Sequence, residues 1–275
     1  MMRAGLNDAP EFAALTGHTN WPVAAYQFHE TFLGVLRFGL WDVFFNYDLM
    51  RSYNPVLWTM SVEIAGSAIV FAILATVGKR TIRWIVYVAL WGTLLVFDSS
   101  YSAFIAGVIL AEVYDSATIH RLRSSKRTLW VSLTMITVVF YVAVARRDLY
   151  ATVTPISILG TILVASVLIS RTFIAAMEHP VSRQLGIISF PLYLTHIVIV
   201  CIVGARLGIW LAQHDCNGYA LAVIEVLIVV PLCVAAAYFF SPIESLSVTA
   251  GRKLARLCAV DSIGDRPIPQ SDPRP

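Results

Sequence analysis

Apolar residues in this chain come in long unbroken runs, not at alternate positions or in amphipathic stripes. Seven such runs cover residues 55–77, 82–97, 101–114, 129–145, 153–169, 187–211 and 219–240. A helix that crosses a bilayer needs about 20 predominantly apolar residues, or about 17 at the short end. The second and third runs are the shortest, and only Asp98-Ser99-Ser100 separates them. They are expected to form a tight hairpin or to include a re-entrant piece. The pattern predicts an all-α fold, a polytopic membrane helix bundle of about seven transmembrane helices.

The flanks read differently. Between His29 and Met50 large apolar residues alternate with Glu30, Arg37, Asp42 and Asp48. That mixture predicts an amphipathic helix in the outer membrane interface, with an eighth crossing as the alternative. The chain thus divides into an external segment (1–54), a transmembrane bundle (55–240) and a cytoplasmic tail (241–275). The tail is polar and Pro-rich from about residue 261 and is expected to be disordered there.

Composition agrees with a membrane protein. Of 275 residues 58% are hydrophobic and 13% charged, against about 25% charged in an ordinary soluble domain, and the mean hydropathy is +0.73. The net charge of +3 is small and says little about nucleic acid, but no stretch looks like a basic face with interleaved aromatics, so nucleic acid is not expected as a partner. The partner predicted by composition is the lipid bilayer. The four cysteines form no CxxC pair, so neither a metal site nor a disulfide framework is expected. Residues 1–16 carry Arg3, Asp8 and Glu11 and no apolar core, unlike a signal peptide.

Charge between the runs sets an orientation. Lys79, Arg80 and Arg83 follow the first run, and Arg121, Arg123, Lys126 and Arg127 follow the third. Arg171 and Arg183 follow the fifth, and Arg252, Lys253 and Arg256 the seventh. The alternate loops at 98–100 and 212–218 have no Lys or Arg. The positive-inside rule then places the C-terminus in the cytoplasm, and seven crossings place the N-terminus outside the cell membrane. Arg146-Arg147 is the one exception.

Three stretches hold polar groups where lipid would penalise them. In Asn54-Pro55-Val56-Leu57-Trp58-Thr59-Met60-Ser61-Val62-Glu63, Asn54 is a good N-cap and Pro55 suits a first helical turn. Glu63 then falls about 12 Å into the helix, where an unpaired carboxylate costs several kcal/mol. It is either functional or a structural inter-helix hydrogen-bonding group, and its expected companions are His196 or Tyr193. In Ser189-Phe190-Pro191-Leu192-Tyr193-Leu194-Thr195-His196, Ser189, Tyr193 and His196 share one helical face. His196 is a candidate base or a satisfied core histidine. In Ser241-Pro242-Ile243-Glu244, Glu244 is either functional or part of ordinary helix punctuation.

Taken together, these segments resemble motifs of the acyltransferase-3 family of multi-pass membrane O-acyltransferases. Trp58 to Glu63 is similar to that family's W-[ST]-L-x-x-E, and Ile188 to His196 to its I-S-[YF]-x-L-Y-L-x-H. Glu244 stands where a Glu-Pro-like element follows the last helix, with Ser245 at the usual proline. Phe104 to Glu112 resembles F-x-x-G-x-x-x-A. The resemblance runs from about residue 30 to 256.

It implies transfer of an acyl group, often acetyl, from acyl-CoA to a hydroxyl of a carbohydrate, lipid or cell-surface glycan. Acyl-CoA is then the donor, a hydroxyl compound the acceptor, and no cofactor stays bound. Glu63 and His196 would support catalysis, and Trp58, Ser189, Tyr193 and Glu244 would line the substrate site. Family members usually have ten crossings and carry their catalytic His in a first helix, eleven positions after a basic residue. None of His18, His29, His120, His179, His196 and His214 has Lys or Arg eleven positions earlier. Three crossings fewer than ten also leaves seven. The chain therefore reads as a member without the N-terminal helices, expected to transfer little on its own. Two other functions fit the residues: a non-enzymatic membrane remnant or partner subunit, and a proton-coupled transporter using Glu63 and His196.

Overall fold

The computed structural model describes residues 31–78, 80–114, 116–123, 125–214 and 217–258, and among them every regular element is a helix. All seven apolar runs are helical. They lie in α1 (Trp58–Val77), α2 (Arg83–Val96), α3 (Ser102–Tyr114), α4 (Lys126–Ala145), α5 (Val153–Leu168), α7 (Pro180–Ile199) and α8 (Gly218–Cys258), and a short α6 (Arg171–Met177), outside the runs, follows α5. A π-turn at Val200–Gly204 carries α7 on into Ala205–Gln213.

Four helical stretches are long and apolar enough to span a membrane: Pro55–Val77, Arg127–Ala145, Pro180–Gln213 and Gly218–Lys253. A fifth is α5 with α6, if the 97° bend between them is a break within one span. The chain is a membrane-embedded helical protein with four to five span-length helices, not clearly the seven expected. The shortfall lies in α2 and α3. Their 14 and 13 residues reach about 20 Å at 1.5 Å per residue, against a hydrocarbon core of about 30 Å.

The hairpin expected at 98–100 is present. Asp98 has φ of 49°, a left-handed conformation that Asp and Asn tolerate better than most residues. There the Ser99 N–H donates back to Leu94 O at 2.9 Å. Antiparallel α2 and α3 are then joined at their far ends by Arg83 and Glu112, Nη2 to Oε2 3.3 Å.

Glycine sets one close approach. A β-carbon on Gly66 of α1 would lie 2.5 Å from the Phe104 ring of α3, so only Gly lets these helices meet there. The most extensive packing is between α7 and α8. Pro191 lies inside α7 and Pro231 and Pro242 inside α8, which neighbouring helices make tolerable in a membrane bundle.

The flanks are partly within view. From Phe32 to Phe45 the chain is continuously helical through a π-turn at Phe38–Asp42. Phe38 and Val43 are buried, while Phe32, Leu33, Leu40, Trp41 and Phe45 are exposed, a surface suited to lipid contact. At the other end α8 runs on through the expected tail to Cys258. Its 41 residues make about 60 Å, twice the hydrocarbon thickness, so its last turns project past the membrane. The disorder expected from residue 261, and the external segment before residue 31, lie outside the described residues.

Candidate functional site

The site forms where the chain enters α1. Asn54 has extended backbone, and its Oδ1 accepts from the Val56 N–H at 3.3 Å, capping a 3-10 turn over Pro55–Leu57. Pro55 follows at the position where a missing N–H costs nothing. The other half of the Asn54 amide reaches across the bundle, with Nδ2 donating to Leu194 O at 2.9 Å. Tyr47 donates its hydroxyl to Pro55 O at 2.7 Å. Both faces of this short turn are therefore anchored, one to α7 and one to the preceding segment.

Tyr193 completes the junction. Its hydroxyl donates to Val56 O and lies 2.9 Å from the Thr59 hydroxyl. A phenol has a single proton. With that proton on Val56 O, the Thr59 hydroxyl must be the donor to the Tyr193 oxygen. Beneath these bonds Val56, Ile197, Cys201 and Ala205 form a buried apolar cluster, with Tyr193 and Val198 packed on it.

His196 lies one turn further along α7, half-buried. Its Nδ1 is 2.8 Å from Tyr193 O and 3.1 Å from Leu192 O. Carbonyl oxygens only accept, so Nδ1 carries a proton. Nothing among the described residues donates to Nε2. The ring is thus held by its own helix through Nδ1, 6.1 Å from the Tyr193 ring between centroids.

The other expected residues are dispersed. Glu63 is exposed and has no hydrogen-bond or ion-pair partner among the described residues. The expected companionship with Tyr193 or His196 therefore does not form as a bond. Thr59, four residues earlier, takes that place, because α7 meets the Pro55–Leu57 turn and α1 then leans on α3. Trp58 is exposed at the start of α1. Ser189 is exposed, and its hydroxyl donates to Gly186 O at 2.7 Å on its own helix and not to Tyr193. Glu244 is half-buried in α8 with no ion-pair partner among the described residues.

Sequence reasoning missed the second role of Asn54, because a bond to a residue 140 positions away leaves no local signal. It also missed Tyr47. No group of three or more His, Cys, Asp or Glu among the described residues is placed to hold a metal ion. No family model matches the chain, and comparison with curated proteins and with solved structures found no match.

Proposed function

We propose that this protein moves an acyl group, in the simplest case acetyl, from acyl-CoA to a hydroxyl of a carbohydrate, lipid or cell-surface glycan. The observation that carries this reading is the junction of Asn54, Val56 and Thr59 with Tyr193 and Leu194. It unites the two segments that resemble acyltransferase-3 motifs, although more than 130 positions separate them. Contact of Gly66 with Phe104 brings the third such segment to the same helix.

The chemistry needs a base for the acceptor hydroxyl and a stable leaving group. The hydroxyl oxygen attacks the thioester carbonyl carbon as its proton passes to a base, the C–S bond breaks, and coenzyme A leaves as thiolate and recovers a proton. His196 supports this through the lone pair on Nε2, with its Nδ1–H anchored to the helix. Glu63 supports it as a carboxylate free of internal partners. A transport reading would make Glu63 and His196 successive proton stations, but no hydrogen bond among the described residues links them.

The same reading takes the chain through the membrane seven times, with α2 and α3 each crossing a locally thin or polar region. Contacts between loops favour that alternation. Asp98 meets Thr154 and Arg83 meets Glu112, and alternate crossing puts each pair on one side. Arg146, with Arg147 the one exception to the charge pattern, is paired with Asp148 through two bonds of 3.0 and 2.9 Å. The N-terminus is then external and the C-terminus cytoplasmic.

The experiment is a chromosomal His196→Ala substitution in the organism that makes the protein, with alkali-labile esters of surface glycans and lipids measured by mass spectrometry. Loss of one ester class at unchanged protein level supports acyl transfer. An unchanged ester profile sinks it.

A further inference from the structure

A second polar site lies away from Tyr193 and His196, where the bend between α5 and α6 meets the start of α4. A cavity of about 610 Å³ opens there, and Arg123, Ser125, Trp130, Ser170, Arg171 and Thr172 are among its walls.

Arg123 is fixed in place. Its Nε donates to Leu168 O at 2.9 Å, the last residue of α5, and its guanidinium carbon sits 3.8 Å from the centre of the Tyr114 ring. Both contacts hold the group without neutralising it. Its Nη2 is buried and has no acceptor, and a buried donor left unmade costs about 1–3 kcal/mol. No carboxylate among the described residues is within ion-pair reach of Arg123 or Arg171. Arg127 adds charge in the first turn of α4, where the helix dipole is positive. The cavity therefore presents two uncompensated guanidinium groups, hydroxyls and an incomplete hydrogen-bond set. Arginine forks match phosphate oxygens in charge and geometry.

We propose that this cavity binds a phosphate-bearing ligand, with the phosphate between Arg123 and Arg171. Two sources share that chemistry: the phosphates of coenzyme A and the headgroup of an anionic phospholipid. The coenzyme A source rests on the acyl-transfer reading; the cavity itself does not. The basic loop at 121–127 places the site on the cytoplasmic face by the positive-inside rule, the side on which coenzyme A is found.

The test uses the full chain in nanodiscs. In discs of pure phosphatidylcholine, coenzyme A is titrated calorimetrically onto wild type, Arg171→Gln, Arg123→Lys and Arg123→Gln. In a second arm, discs doped with phosphatidic acid are analysed by native mass spectrometry for retained lipid. Arg171 is exposed, so Arg171→Gln should fold even where Arg123→Gln does not. The expected result is binding of one probe that Arg171→Gln weakens at least tenfold, that Arg123→Lys partly retains, and that added salt weakens. Retention of phosphatidic acid without coenzyme A binding keeps the cavity proposal and removes its link to acyl-CoA. Binding of neither probe, or equal binding by wild type and Arg171→Gln, overturns it.

Discussion

The hydroxyl of Thr59 lies 2.9 Å from the hydroxyl of Tyr193, 134 positions later in the chain. Because the Tyr193 proton goes to Val56 O, these two side chains and one carbonyl form a directed chain of two hydrogen bonds. It ties the entry of α1 to the middle of α7, one turn before His196.

That chain makes a thermodynamic prediction. Tyr193→Phe removes the partner of the Thr59 hydroxyl and the side-chain bond to Val56 O and should destabilise the protein by about 1–3 kcal/mol. Thr59→Ala should cost less, since Tyr193 still reaches Val56. A double-mutant cycle on thermal unfolding in detergent should give a coupling of about 0.5 kcal/mol or more. Strict additivity would show that the two hydroxyls do not interact.

A second prediction concerns acid. The Asp98 carboxylate accepts from the Thr154 N–H at 2.6 Å. The Thr154 and Val153 N–H groups hold its pKa below the usual carboxylate value, because hydrogen bonds to the charged form favour it. The depressed folded value means that this stabilisation is complete above the unfolded pKa of about 3.9 and disappears as pH falls through the lower folded value. Asp98→Asn keeps a residue suited to positive φ and removes the charge. It should lower the unfolding temperature at pH 7, and the gap from wild type should close as the pH is taken below about 4. A gap that stays constant into acid would assign the effect to something other than the carboxylate.

Packing supplies a third. Gly66→Ala would press a methyl into the Phe104 ring, and such overpacking typically costs about 1–3 kcal/mol. In a Phe104→Ala background the same substitution should be harmless. Gly107→Ala serves as the control, because its new β-carbon would meet nothing within 4 Å. Unfolding temperatures of the four variants check this, and equal effects of Gly66→Ala in both backgrounds would contradict it.

Topology is the fourth. Seven crossings put the termini on opposite sides, and so do five, with α2 and α3 as a re-entrant hairpin. Four crossings do not. A reporter fused after residue 258 should read cytoplasmic and one at residue 5 external. Both on one side would contradict the seven-crossing topology.

Helical class and the position of every long helix were legible in the sequence, because lipid demands uniform apolarity over a whole element and leaves a strong signal. Crossing number was less so. Residues 82–97 and 101–114 are apolar enough for spans but already shorter than about 17 residues, and the turn at Asp98 leaves helices of 14 and 13 residues. Glu63 was legible as a carboxylate that lipid would penalise, but not that its face would diverge from α7. The direction in which α1 leans is set by Gly66 and Phe104, a fit between two side-chain volumes that periodicity does not encode. Asn54 announced itself as a cap, and only the fold discloses that its amide also serves Leu194.

The central claim is that the Tyr193–His196 stretch serves acyl transfer, and transfer itself is its most direct measure. Membranes from cells that make the protein can be supplied with radiolabelled acetyl-CoA and assayed for label in hydroxyl esters, with His196→Ala and wild type compared at matched protein level. The chain lacks the first-helix His that the resemblance implies, so label incorporation by wild type is expected to be low, and His196→Ala, as loss of a supporting group, should lower it further with the variant still inserted in the membrane. Equal label incorporation by wild type and His196→Ala membranes would contradict it.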